Sequence, residues 1–587
     1  VGAKSTMTPT PESRLLELYD RVADAPGAID RLRKFVLDLA VRGKLVEQNP
    51  EDEPAEALLE RIAAEKARMV KAGEIRKPRD LGNSSDLVSP FQIPETWRWC
   101  RLDTVGAIIG GGTPAAADVD NFAEPGAGIP WLTPADLGGY RGLFIERGGR
   151  DLTEQGLNSS SATMMPSGTV LFTSRAPIGY VAIAANPIST NQGFKSIVPY
   201  VSDCSRFIAL TMRAFAADID GKAPGTTFKE VSGKIVAGVA FPLPPLPEQH
   251  RIVAKVDELM ALLDRLETTR TQQETTRDRL TTASLARLTA PHTTEKEFRA
   301  AARFTFNNLD QLTSRLEQIK LLRQTILDLA VRGKLVEQDP ADEPVLAHLM
   351  NLDEETAKTR EQLEPLDPSG FGIELPQSWV WLPLGAVIRG MDAGWSPQCE
   401  SHPRSDENEW GVLKTTAVQA LSFDPMQHKL LPKKLKPRPE FQVEVGDILV
   451  TRAGPKNRVG VSCVVDMSSP SLMISDKLIR FHALGELSPR YIALTLNAGY
   501  TFSQIEAAKS GMAVMQMNIS QSKLRAIPIP FPPLAEQRLI VTKVDALMAL
   551  CDQLESTLST ADDTRTRLLE VLLQKGLQGV AHNREAA

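Results

Sequence analysis

The chain is poor in the residues that staple, metallate or activate a protein. Its 587 residues include five cysteines and seven histidines. Cys100, Cys204, Cys399, Cys463 and Cys551 are odd in number and far apart, which excludes a disulfide framework and a zinc knuckle. No histidine stands at ligand spacing from a Cys or Asp, so no metal site is expected. No apolar run approaches the roughly 20 residues needed to cross a bilayer, and the opening VGAKSTMTPT has no apolar signal core. A cytoplasmic protein with no membrane partner is expected, residues 1–6 reading as an appended remnant ahead of Met7. Catalytic signatures are equally scarce. There is no GxxxxGK[ST], since Lys234 in SGKIV is followed by Ile, and no GxGxxG, Ser/His/Asp arrangement, NPPY or DPPY; Asp220-Gly221-Lys222 is an isolated DxK match. No chemistry and no cofactor are expected of this chain.

What the chain has is duplication. Leu37 to Gln48 (LDLAVRGKLVEQ) recurs unchanged at Leu327 to Gln338. PLPPLPEQHRIVAKVDELMALLDRLE from Pro242 returns from Pro530 as PFPPLAEQRLIVTKVDALMALCDQLE, with 18 of 26 positions identical. Roughly 150 residues between these echoes diverge almost completely in each half. Something holds a frame symmetric while two inserts are free to differ.

The frame reads as helix. Ile252, Val256, Leu259, Leu263 and Leu266, and in the second copy Ile540, Val544, Leu547, Cys551, Leu554 and Leu558, alternate spacings of four and three, the seam of a coiled coil. Ile29, Leu32, Val36 and Leu39 form a shorter seam repeated by Ile319, Leu322, Ile326 and Leu329. These shorter helices end at Arg-Gly-Lys, where Gly43 and Gly333 can take the left-handed conformation that caps a helix. Polar turns at Asn49 to Pro54 and Asp339 to Pro344 follow, then amphipathic stretches over 55–72 and 345–363. A lone seam cannot bury itself. The expected solution is antiparallel pairing in which the helix after each insert, 252–287 or 536–575, lies against the helix before the other insert, 309–331 or 28–42, with a polar linker at Pro291 to Arg303. An intermolecular coiled coil is the alternative; internal duplication makes intramolecular pairing cheaper in entropy.

The inserts show short apolar runs broken by Gly and Pro, as in GTVLFTSRAPIGYVAIA and VGDILVTRAG, with one helix late in each near Ser205 to Asp218 and Pro489 to Ala508. The fold class expected is α+β: two mixed α/β globular domains separated by an antiparallel coiled coil of long helices, with a pseudo-twofold internal repeat. Net charge is −6, yet residues 90–245 hold 12 Lys+Arg against 13 Asp+Glu and residues 372–533 hold 17 against 14. The frame carries most of the excess acid, and the second insert is mildly basic.

The inserts open alike, IPETWRW and LPQSWVW, and Trp97, Trp99, Trp379 and Trp381 read as strand-borne core residues. Gly110-Gly111-Gly112 before Thr113-Pro114 reads as a tight turn at a strand end, with Thr113 a candidate for contact near the DNA backbone. Thr173, Ser174 and Arg175 on one glycine-rich turn, and Thr451, Arg452, Lys456, Asn457 and Arg458 on another, suit contact with phosphate or guanine edges, or else a solvated surface turn. Asn191, Gln192 and Lys195, and Lys477 in Ser475-Asp476-Lys477, follow at similar distances; amides there could read adenine or brace a turn. Gly225-Thr226-Thr227-Phe228-Lys229 and Gly511 to Gln516, with Met512, occupy matching places just before the returning frame, where small and hydroxyl residues let a loop approach a surface closely, and Thr226, Thr227, Lys229, Met512 and Gln516 are candidates for DNA contact.

These motifs together resemble the specificity (S) subunits of type I restriction-modification systems. The resemblance spans nearly the whole chain and rests on the duplicated PLPPLPEQHRIV/PFPPLAEQRLIV junctions, the duplicated LDLAVRGKLVEQ, and the GGTP, IPWLTPADL, GTVLFTSRAPIG and NQGFKS blocks of the first insert, from which the second departs. It implies conserved helical regions at 1–89, 247–371 and 534–587 and target-recognition domains at 90–246 and 372–533. It also implies that each domain reads one half of a split double-stranded DNA sequence, and that two modification subunits and up to two restriction subunits dock around the chain. Methyltransferase and ATP-driven nuclease activities, with their S-adenosylmethionine, ATP and Mg2+, then belong to those partners. Arg42, Lys44, Gln249, Arg332, Lys334 and Gln537 of the repeated frame are the expected docking residues. Unlike inserts imply an asymmetric target, and about 30 helical residues, roughly 45 Å, imply half-sites about one DNA turn apart or somewhat more. A symmetric protein adaptor without DNA readout, or a fused nuclease, are the competing classes.

Overall fold

The computed structural model describes residues 23–75, 87–224, 229–291, 294–351, 364–511 and 513–578. The chain divides into two compact units, one formed by the residues up to Thr271 together with those from Asp562 onward, the other by Gln272–Ala561. Each unit holds a leading helix, one insert, the start of the helix that trails this insert and the end of the helix that trails the other. The trailing helices, Leu246–Leu288 and Leu534–Gln578, therefore pass between the units in opposite senses. Among the described residues no helix is long and apolar enough to cross a membrane.

The leading helices, Ala28–Val41 and Leu316–Ala330, end in the same way. Gly43 and Gly333 both have φ of +64°. The amides of Lys44 and Lys334 bond back to the carbonyls of Leu39 and Leu329 at 2.9 and 3.0 Å, and those of Gly43 and Gly333 to Ala40 and Ala330, which is the Schellman closure. A side chain at either glycine would also strike a proline ring, Pro94 or Pro376, at 2.4 Å. Conformation and close approach both demand glycine here.

The two repeated motifs meet in a buried joint. Glu248, from the PEQ of the first trailing helix, is 1% exposed; it accepts from the indole of Trp97 at 3.0 Å and from the Gln48 amide at 2.8 Å. Glu536 accepts from Trp379 at 2.8 Å and from Gln338 at 3.0 Å. Gln48 and Gln338 close the LDLAVRGKLVEQ repeat, and Trp97 and Trp379 open the inserts. One carboxylate thus ties leading helix, insert and trailing helix together in each unit. Further ties recur on the same plan. Arg33 bonds Asp264 and Glu267 at 2.5 and 2.8 Å, and Arg323 bonds Asp552 and Glu555 at 2.6 and 3.0 Å. Arg206 reaches from the first insert to Asp257 at 2.6 Å, as Arg490 does from the second to Asp545 at 2.8 Å.

These ties set helix directions. Each leading helix runs antiparallel to its own trailing helix and also packs against the other trailing helix, but in parallel rather than in the antiparallel sense expected. In the first unit Ala25 and Ala28 cluster with Leu569, Arg31 bonds Glu570 at 3.1 Å and the Lys44 ammonium donates to the Leu577 carbonyl. In the second, Gln318 bonds Asp278 at 2.9 Å, and Leu285 and Leu288 cluster with Leu329. The reason is geometric: the Trp–Glu joint fixes one antiparallel pair, so a helix running opposite to the trailing member must run with the leading one. The stretch 291–303, expected as a linker, is largely helical: Glu295–Asn307 begins at a capping box in which Thr294 and Glu297 bond reciprocally. The expected helix at 309–331 is broken at 313–315, where the Gln318 side chain caps the new start by accepting from the Arg315 amide at 3.2 Å.

Both inserts are mixed helix and sheet. The ends of each are pinned by an antiparallel ribbon, Arg98–Arg101 on Ala240–Leu243 and Val380–Pro383 on Pro528–Phe531, with Trp99 opposite Pro242 and Trp381 opposite Pro530. Trp97, Trp379 and Trp381 are core residues; Trp99 is half-buried against Phe91. Strands Gly106–Gly110, Lys195–Pro199, Val170–Phe172 and Val181–Ala184 lie side by side in that order in the first insert, and Ile388–Ala393, Leu478–Ala483, Ile448–Thr451 and Ser462–Val464 do so in the second. A small second sheet in each centres on Ile129–Leu132 or Gly411–Leu413, each flanked by one antiparallel and one parallel neighbour. The late helix is two helices in each insert, Ser205–Ala214 with Ala216–Gly221 and Pro489–Asn497 with Gly499–Ala508.

Burial pushes the Glu248 and Glu536 carboxyls above the usual range against the opposing pull of the Trp and Gln donors. A raised folded-state pKa favours the protonated form, so this contribution to stability is full at acid pH and lost as pH rises through the folded pKa. Glu248→Gln offers one oxygen and an amide donor to two donors, leaving a buried group unpaired, which costs about 1–3 kcal/mol. Chemical unfolding followed by Trp fluorescence is expected to show this loss at neutral pH, with weaker pH dependence just above the normal glutamate range than in the parent.

Candidate DNA-reading faces of the two inserts

In the first insert three loops are stitched around Ser174, whose amide donates to Gly193 O at 2.7 Å and whose carbonyl accepts from Val231 at 2.8 Å. Its buried hydroxyl also bonds Gly193 O at 3.1 Å. The Thr173 hydroxyl, likewise buried, donates to Pro177 O at 2.8 Å and accepts from the Tyr180 amide at 2.9 Å. Both hydroxyls brace the turn and leave Arg175 as its outward group. The Arg175 guanidinium pairs with Glu230 at 2.9 Å, and the other carboxylate oxygen of Glu230 lies 3.6 Å from Lys195. Asn191 accepts from the Gly193 amide at 2.8 Å, which is the turn-bracing role. Exposed Thr113 donates to exposed Gln192, and Lys229 pairs with Asp220 at 3.3 Å. Thr226 and Thr227 lie outside the described residues, as does Met512.

The second insert repeats this backbone plan with other side chains. The Arg452 amide donates to Lys477 O at 2.7 Å and its carbonyl accepts from Ile519 at 3.0 Å, so Arg452 occupies the position of Ser174, and Lys477 that of Gly193. The counterpart of Arg175 is Ala453, which pairs with Asn518 as Arg175 pairs with Glu230. The two arginines are therefore not equivalent. One residue along a strand reverses the side-chain direction, and the sequence carries that offset as Thr-Ser-Arg in the first insert against Thr-Arg in the second. Neither Arg452 nor exposed Lys477 has a side-chain partner among the described residues. Thr451 is buried. Lys456 is exposed with its ammonium 3.8 Å from Glu506, and Asn457 and Gln516 are exposed. Arg458 folds back instead, donating to Gln419 at 2.9 Å and to the carbonyls of Thr415 and Val418 at 2.7 and 2.6 Å.

A second matched pair went unread in the sequence. Ser396 donates to Asp476 as Thr113 donates to Gln192. The turn beneath is the same: a Cβ at Gly111 would lie 2.1 Å from Asn191 O, and one at Gly394 would lie 1.9 Å from Ile474 O. The signal was Gly-x-[Thr/Ser]-Pro, present at Gly111 to Pro114 and at Gly394 to Pro397.

On the frame, Gln249 and Gln537 are buried, their amides donating to Pro244 O and Pro532 O, both at 3.0 Å. Arg42 stacks 4.3 Å from the Phe91 ring centroid and Lys334 lies 5.4 Å from that of Phe298, whereas Lys44 bonds Leu577. Arg332 is half-buried. The two glutamines thus keep equivalent partners, whereas Lys44 and Lys334 have different neighbours.

A duplicated helical frame carrying two unlike α/β inserts, each with cations and amides gathered on stitched loops, defines a class of two-site recognition protein. Residues 94–275 and 439–561 match the family model described as the type I restriction modification DNA specificity domain. The chain is 37% identical over 570 residues to the Escherichia coli type I restriction enzyme EcoEI specificity subunit, covering 94% of both chains. It is 26% identical to the E. coli EcoAI specificity subunit, covering 93% of both. A solved HsdS subunit from Thermoanaerobacter tengcongensis aligns at 20% identity with a TM-score of 0.41, over 84% of this chain and 98% of that one. The chain belongs to the family of type I restriction-modification specificity subunits.

Gly111→Ala and Gly394→Ala drive a methyl group into a backbone carbonyl that cannot withdraw. Each is expected to destabilise its own insert by about 1–3 kcal/mol. Hydrogen exchange is expected to show reduced protection confined to the mutated insert.

Proposed function

We propose that this chain recognises an asymmetric, bipartite double-stranded DNA sequence, one half per insert, and scaffolds the enzymes that act on it. The carrying observation is that the inserts share a backbone plan but place different groups at matched positions: Gly193 against Lys477, Thr113–Gln192 against Ser396–Asp476, and half-buried Arg452 where the first insert buries Ser174. Base edges are read by such donors and acceptors, while phosphate contacts fix register. Identical joints in two copies suit a frame that offers one docking surface twice, to two modification subunits, with up to two restriction subunits outside them. Methyl transfer from S-adenosylmethionine and ATP- and Mg2+-dependent cleavage then reside in those partners, in the cytoplasm, and this chain is non-catalytic. The division into helical regions 1–89, 247–371 and 534–587 and reading domains 90–246 and 372–533 is part of the proposal, as is the setting of half-site spacing by the trailing helices.

Because the ribbon of Arg98–Arg101 with Ala240–Leu243 brings the ends of the first insert together, replacing residues 90–245 by the insert of a relative is expected to change one half-site of the methylated sequence and leave the other intact. Change in both halves would refute modular reading. Arg452→Ala is expected to weaken duplex binding more than Arg175→Ala, since Arg175 is already paired with Glu230 while half-buried Arg452 has no side-chain partner among the described residues. Relaxed base preference at one position would mark Arg452 as a base reader, for which a bidentate guanine contact is worth about 1–3 kcal/mol. Fluorescence anisotropy on duplexes permuted at each position separates these outcomes.

A further inference from the structure

The second insert carries a cluster of cations with no counterpart in the first. Lys433, Lys434, Lys436 and Arg438 lie between strand His428–Leu430 and the turn Pro439–Phe441, and all four are exposed. No acidic side chain pairs with Lys433, Lys434 or Lys436 among the described residues. The loop bearing them is held rigidly from beneath. Leu435 packs against the buried cluster of Val412, Leu431 and Met473, as Trp395 does, its amide bonds Pro432 O at 2.9 Å, and Pro432, Pro437 and Pro439 restrict the chain. The Arg438 guanidinium stacks 4.3 Å from the ring centroid of Trp395, the residue immediately before Ser396 in the Gly-Trp-Ser-Pro turn. The cations therefore border the reading face of the second insert.

Strand topology identifies the matching stretch of the first insert. His428–Leu430 pairs antiparallel with Gly411–Leu413, as Arg150–Leu152 pairs with Ile129–Leu132. The residues that follow, 153–163 (TEQGLNSSSAT), contain one acid and no lysine or arginine.

We infer that the loop 431–438 is a phosphate clamp that grips the DNA backbone beside the second half-site, so the two inserts contribute unequally to the electrostatic part of binding. The inference rests on the DNA-reading function proposed above. Lysines without acidic partners on a proline-stiffened loop release DNA counterions on contact without first breaking ion pairs, and point charges of this kind add affinity without choosing bases.

The test compares the full chain with Lys433→Ala/Lys434→Ala/Lys436→Ala and with the corresponding triple Lys→Arg variant, binding a labelled random-sequence duplex across a salt series. Removing one lysine–phosphate interaction lowers the slope of log affinity against log salt by about 0.9. The alanine variant is expected to shed roughly two to three from that slope and to bind roughly tenfold or more weakly at low salt. The arginine variant should keep both, and the methylated sequence in cells should be unchanged. All three side chains are exposed, so thermal unfolding should match the parent. An alanine variant with the parent's slope would overturn the clamp while leaving DNA reading intact. Absence of duplex binding by the unaltered chain even at low salt would overturn the DNA reading itself.

Discussion

A single buried carboxylate holds each half of this protein together. Glu248 and Glu536 satisfy the indole of the residue that opens an insert and the amide of the residue that closes a helix-cap repeat. Desolvating a carboxylate is costly unless its lone pairs are filled. The joint therefore tolerates little change in its donors, Trp and Gln, or in the path of the chain that presents them. The same constraint reaches the glycines, because Gly43 and Gly333 must turn the chain against Pro94 and Pro376 to bring Gln48 and Gln338 into place. Exact repetition of LDLAVRGKLVEQ follows from this internal geometry as much as from any docking surface.

With the frame fixed, variation is confined to what it carries. Each insert leaves and rejoins the frame through one two-stranded ribbon, so its loops can change without disturbing the joint. The two inserts use this freedom differently. The first balances the cations of its stitched loops against Glu230 and Asp220, whereas the second leaves Arg452 and Lys477 without a side-chain partner among the described residues and adds a lysine-bearing loop. The symmetry is also broken on the frame, where Lys44 caps the end of a trailing helix while Lys334 meets the aromatic ring of Phe298 on the helix Glu295–Asn307.

Much of this was legible in the sequence because the signals were strong and local. Seams of four-three spacing, Arg-Gly-Lys at the helix ends and gapped apolar runs in the inserts each correspond to one physical requirement, and the structure has helices, left-handed caps and strands at those places. The errors came where two weaker signals competed. Thr294-x-x-Glu297 is a capping box inside a polar stretch that otherwise reads as linker. The leading helix of the second copy keeps its seam across 313–315 although the backbone breaks there. Helix direction depended on the Trp–Glu–Gln joint, which links residues some 50 to 200 positions apart and has no periodicity to betray it. In the inserts, the likeness of Gly-Trp-Ser-Pro to Gly-Gly-Thr-Pro is masked because a tryptophan stands in place of the third glycine of the first insert's triplet.

The central claim is that one symmetric frame presents two unlike readers to DNA. Mapping methylated bases in the host genome by single-molecule sequencing, with and without this gene, tests it most directly. The account predicts one gene-dependent motif of two different half-sites separated by an unread spacer of constant length. A palindrome with identical halves, a continuous motif, or methylation that does not depend on this gene would contradict it.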